Sequence, residues 1–170
     1  DACGTCRACT LIAAGRHPDV TLTAPEEKTV ITIDQIRGVA ARAGLGAYEG
    51  AGKVWILDPA HEMQEPAANA FLKTLTRLDR KLGPILLQFP YFARKTGVTQ
   101  ELFLERLVPF LDAAPLDEYS FVVEVRNKPW LNEALFEPLR ERRVTLALID
   151  HPWMPRPSAL MAENGLFTGS

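Results

Sequence analysis

Residues 53–75, KVWILDPAHEMQEPAANAFLKTL, restrict the fold more than any other stretch of the chain. An apolar run through Leu57 ends at the acid Asp58, a short loop follows, and Pro66 opens an alanine-rich segment, the pattern of a buried strand feeding a helix. In open α/β sheets ligands gather at the carboxyl ends of strands, which is where Asp58 falls. A nucleotide hydrolase needs a further acid there, one to hold magnesium and one to polarise water. Pro59, Ala60 and His61 follow instead. No G-x-x-x-x-G-K-[ST] phosphate loop occurs in the 170 residues, so neither ATP binding nor ATP hydrolysis is expected. Asp58 is read as capping helix amides or solvating the strand end rather than as a metal ligand.

A chain of 170 residues with 47% hydrophobic content can bury one ordinary core or two small ones, so an α/β globular fold is expected. The net charge of -2 supplies no global field for nucleic acid or an anionic membrane. There is no direct nucleic-acid signature, and such a partner must be met through a local patch or another subunit. No apolar run has the length of a membrane span and no signal-peptide pattern opens the chain, which points to the cytoplasm. The chain starts in mid-motif at Asp1 and stops at Ser170 without a closing segment, the expectation for a fragment of a longer product.

The three cysteines lie within residues 3–9, too few and too close for a disulfide framework. Cys3, Cys6 and Cys9 have the spacing C-x-x-C-x-x-C, which lets thiolates from tight turns converge on one zinc ion. Three ligands leave the site open, with His17 or a cysteine before residue 1 as the fourth; free thiols on a short helix are the alternative. His17-Pro18-Asp19 then reads as a turn entering a strand at Val20. Thr32 and Gln35 have the capping-box spacing, and Ile36, Val39, Ala40 and Ala43 lie on one face of a helix ending near Gly44 or Gly46.

CGTCRAC, HPD, TIDQIR, YEG, KVWILDPAHEM and PAANAFLKTL, in this order, resemble the delta-prime subunits of bacterial DNA polymerase III clamp loaders, which are AAA+ proteins. The resemblance covers about residues 1–75. It implies a zinc module to which Cys3, Cys6 and Cys9 contribute, a subunit without hydrolytic activity, and other clamp-loader subunits as partners. The first strand, the phosphate loop and one zinc cysteine of that family precede the matching region. Its sensor strand, lid and collar do not follow it.

From Thr76 the pattern changes. Apolar strands are expected at residues 85–89, 121–125 and 145–149, the last of them buried. Between them lie a helix carrying Leu104, Leu107, Val108 and Leu111, kinked or shortened by Pro109, and another around Leu135, Phe136 and Leu139, with Pro138 inside it or near its start. Strand, helix, strand, helix, strand argues parallel strands with crossover helices. Polar residues close each strand: Gln88, then Glu124 and Arg126, then Asp150 and His151. In a β/α barrel the active site forms at such ends, which makes these residues candidate acid/base or phosphate-binding groups. A structural ion pair between Glu124 and Arg126 is the other reading. Trp130 and Trp153 either wall a pocket or pack against a helix.

LGPILLQFP, FVVEVRNKPWL and ALIDHPWMP resemble the YecE-like family, TIM-barrel proteins of unknown function, over about residues 79–155. Gln88, Glu124, Arg126, Trp130 and Asp150 sit at matching motif positions, and Asn127 stands where the family often has histidine. The chain is therefore expected to be a hybrid, with a clamp-loader-type part over residues 1–75 and a barrel-type part over residues 76–170. Its fold class is α/β, with about five mainly parallel strands and crossover helices continuing across the joint. No intact catalytic function is expected of either part. The functional expectations are a non-hydrolysing interaction module in DNA replication or a ligand-binding or enzymatic barrel fragment.

Overall fold

The computed structural model describes residues 3–26, 30–60, 63–149 and 151–164. The chain forms two compact units, Asp1–Leu82 and Gly83–Ser170. No helix among the described residues is long and apolar enough to cross a membrane.

In the first unit the elements are α1 (Arg7–Ala13), β1 (Val20–Thr23), α2 (Ile33–Ala43), β2 (Val54–Leu57) and α3 (Glu65–Leu78). β1 and β2 pair in parallel, Val20 opposite Val54 through Thr23 opposite Leu57. The capping box read from the sequence starts α2: the Gln35 N–H donates to Thr32 Oγ1 at 3.4 Å and the Thr32 N–H to Gln35 Oε1 at 2.9 Å. Ile31, Ile36 and Ala67 are fully buried, with Ile33, Leu57, Met63, Ala70 and Phe71 packed round them. The helices cover one face of the strand pair. The residues of the other face stay open, with Leu22, Val54 and Ile56 exposed. The expectation of a buried strand at Lys53 to Leu57 is thus corrected to a half-buried one, because alternate side chains point away from the helix layer.

The second unit contains β3 (Ile85–Gln88), α4 (Gln100–Ala113), β4 (Phe121–Glu124), α5 (Glu133–Glu141), β5 (Thr145–Leu146) and α6 (Pro157–Asn164). Its strands run parallel in the order β3, β4, β5, with Ile85 opposite Phe121 and Val122 opposite Thr145. Phe103, Leu107 and Leu111 of α4 and Leu135, Phe136 and Leu139 of α5 join Phe121, Val123, Val125 and Trp130 in one core cluster. Fully covered parallel sheets read as continuous apolar runs. Here β4 alternates buried and half-buried residues, so the helix layer lies on one face only.

All five expected strands form and all their pairings are parallel. They do not make one continuous alternation: they divide into a two-stranded and a three-stranded sheet, and no pairing joins β2 to β3 among the described residues. Helix α3 also runs past residue 75 to Leu78, because Thr76, Arg77 and Leu78 carry no helix-breaking residue. The helix ends at Leu78, and Asp79 after it has φ 44°.

Two further expectations are corrected as well. Pro109 does not shorten α4, which continues to Ala113; the proline is exposed, and the buried Phe103, Leu107 and Leu111 follow the opposite stripe. The last strand is shorter than residues 145–149 and is not buried. Thr145 and Leu148 are exposed at the edge of the sheet, although the Ala147 N–H still donates to Val123 O at 2.8 Å.

Candidate functional site

The register that sets Gln88 opposite Glu124 also sets their side chains on one face of the sheet. Gln88 Nε2 donates to Glu124 Oε1 at 2.6 Å. Two residues on, Arg126 returns to the same face, and its Nε donates to that oxygen at 3.3 Å. The Glu124 side chain is 12% exposed and that of Arg126 53%. The three groups meet at the carboxyl ends of parallel strands, on the face away from α4 and α5.

The other expected residues separate from this group. Trp130 is buried, stacks on Phe92 with ring centroids 5.4 Å apart and tilts against Phe103 at 5.1 Å. Asn127 is buried and forms a two-bond clamp, accepting the Phe92 N–H and donating to Phe92 O, each at 2.9 Å. His151 stacks on the exposed Trp153, and its Nδ1 accepts the Trp153 N–H at 3.4 Å. Asp150 lies outside the described residues, as does His61.

The second constellation is at the start of the chain. The Sγ atoms of Cys3, Cys6 and Cys9 lie within 4.8 Å of one another, with Cys3 and Cys6 exposed. Backbone N–H groups of Thr5 and Cys6, joined by the Thr5 hydroxyl, hold the Cys3 thiol down at about 6. A soft, convergent thiol set suits a zinc ion. Such an ion would fasten the turn at Cys3 to the first turn of α1. His17 is not brought into this group. Its Nδ1 accepts the Asp19 N–H at 3.1 Å, in the turn before β1.

Asp19 and Glu49 have a structural role that their quoted motifs do not announce. Asp19 is 3% exposed, and its carboxylate accepts N–H groups from Tyr48 at 2.6 Å, Glu49 at 2.7 Å and Gly50 at 2.8 Å. The Tyr48 and Glu49 amides lower its carboxyl to about 2. Glu49 in turn pairs with Arg7 on α1, whose side-chain hydrogen bond holds Glu49 below its ordinary value. Position 50 suits glycine because a Cβ there would come within 3.3 Å of Gly52 O. Cysteine module, Tyr48 loop and β1 are thereby braced together, with Tyr48 itself 81% exposed. The only sequence signal for this brace is the pair of motifs HPD and YEG, and nothing in one dimension joins them.

A family model described as DNA polymerase III, delta subunit matches residues 1–87, and another, protein of unknown function DUF72, matches residues 47–167. The chain belongs to both families. The stretch common to both matches contains β2, α3 and most of β3, one strand–helix–strand alternation that serves either architecture. Among curated proteins, the chain is similar to DNA polymerase III subunit delta' of Pseudomonas aeruginosa, 47% identical over 75 residues, covering 44% of this chain and 23% of that protein. The subunit delta' of Escherichia coli is 44% identical over 75 residues, with coverages of 43% and 22%. That of Buchnera aphidicola (Schizaphis graminum) is 30% identical over 105 residues, with coverages of 62% and 32%. The chain thus spans well under half the length of these relatives. Its first part resembles the delta' clamp-loader subunit, and the DUF72 part belongs to a family of unknown function.

Proposed function

We propose that the delta-type part acts as a non-hydrolysing interaction module of a DNA polymerase III clamp loader, binding other loader subunits during DNA replication. The observation that carries this reading is the similarity to subunit delta' across the braced first unit, 47% over 75 residues. It is supported by the end of β2, where Asp58 is followed by Pro59 rather than by the second acid of a hydrolase. In this reading the parts divide by origin at residues 1–75 and 76–170, and Cys3, Cys6 and Cys9 hold a zinc ion whose role is structural. Neither part contributes a complete catalytic site. Immobilised full-length chain is expected to retain the other loader subunits from a purified mixture and to add no ATPase activity. A clean negative with folded protein ends the reading.

A second reading is favoured by Gln88, Glu124 and Arg126: the DUF72-type part is a ligand-binding or enzymatic fragment of a TIM-barrel family. Barrel enzymes bind substrate at strand ends of this kind. A ligand that raises the melting temperature of the chain is expected to lose that effect in Glu124→Gln. An unchanged shift in the variant removes Glu124 from the site.

A further inference from the structure

We infer that the Glu124 constellation recognises a small hydroxylated organic anion, with Arg126 taking the oxyanion and Glu124 the hydroxyl. This rests on the second reading above and names its ligand class. Both bonds to the carboxylate land on Oε1, from Gln88 Nε2 at 2.6 Å and Arg126 Nε at 3.3 Å. Glu124 Oε2 has no hydrogen-bond partner among the described residues, and neither has either terminal nitrogen of Arg126.

The consequence is a graded arrangement. Glu124, 12% exposed, is fixed through one oxygen by an amide and a guanidinium edge, while the Arg126 side chain is 53% exposed and its terminal nitrogens remain available. A guanidinium fork matches the paired oxygens of a carboxylate or phosphate, and a free carboxylate oxygen beside it accepts only from a donor such as a hydroxyl. Two residues earlier on each strand, Leu86, 50% exposed, and the half-buried Val122 stand on the same face, so a short carbon skeleton would lie on apolar side chains. A bare dianion would meet Glu124 as a like charge without the compensating hydroxyl bond. A neutral polyol would leave the fork unused.

Titration of the chain with inorganic phosphate, glycerol 3-phosphate, glycerate and glycerol, followed by calorimetry, tests this. Glycerol 3-phosphate or glycerate is expected to bind more tightly than inorganic phosphate or glycerol, and comparing the two separates a phosphate from a carboxylate ligand. Arg126→Gln should weaken that binding about tenfold or more, with partial recovery in Arg126→Lys, and Glu124→Gln should remove the preference over inorganic phosphate. Anion binding that survives Arg126→Gln overturns the inference. Glycerol binding as tightly as the anions, and lost in Glu124→Gln, overturns the anion assignment and leaves the site standing. No binding of any probe overturns both.

Discussion

A buried carboxylate that accepts three backbone amides is a strong local constraint, and Asp19 is one, holding the loop of Tyr48, Glu49 and Gly50. Its carboxyl is lowered to about 2, whereas an unfolded aspartate titrates near 4, at about 3.9. The depressed folded value means that its contribution is present above the unfolded value and disappears as pH falls through the folded one. Urea midpoints of the first unit are therefore expected to fall between about pH 4 and pH 2. Asp19→Asn should be less stable at neutral pH and approach the native chain near pH 2; a variant equal to it at neutral pH would refute the brace. At the cysteines, metal analysis should give about one zinc per chain, lost in Cys6→Ser. Binding should weaken on acidification, since zinc must displace protons from the thiols. Metal-free folded protein would end the zinc assignment.

At the scale of elements, α4 shows what packing decides. Leu111 is fully buried, whereas Leu86 on β3 is 50% exposed. Leu111→Ala is expected to cost about 2–5 kcal/mol, and Leu86→Ala roughly 0.5 kcal/mol or less, in urea denaturation of the second unit. Similar losses at the two positions would contradict the one-sided helix layer. Strand and helix positions were legible because apolar runs and capping residues are local signals: Thr32 with Gln35 marks the start of α2, and the runs at Val20, Val54, Ile85, Phe121 and Thr145 mark the strands. Which strands pair is a long-range property, so the division into two sheets was not legible. Pro109 did not shorten α4 for a related reason, since the exposed proline lies off the buried stripe of Phe103, Leu107 and Leu111. The meeting of Gln88, Glu124 and Arg126 could be read from strand ends. The Asp19 clamp could not, because its three donors follow about thirty residues later in a loop whose own sequence names no partner.

The whole molecule joins two units of unequal interior. The first has Ile31, Ile36 and Ala67 as its buried cluster, and the second a larger one built from α4, α5 and the three-stranded sheet. Apolar burial is the main favourable term in folding, so the chain is expected to unfold in two calorimetric transitions, the first unit at the lower temperature. A single transition that Leu111→Ala moves as a whole would show that the units unfold as one.

The continuation of α3 through residue 76 bears on how such a chain can arise. A crossover inside a helix must respect phase, because one inserted residue turns everything beyond it by about 100° around the axis. That demand lasts only from Thr76 to Leu78, where α3 ends; Asp79 breaks the helical geometry at φ 44°, and Gly83 and Pro84 precede β3. A joint at residue 76, as proposed above, would have to match a few residues of helical phase and nothing of the sheet that follows. Under that proposal each part would keep its own strand register across the joint.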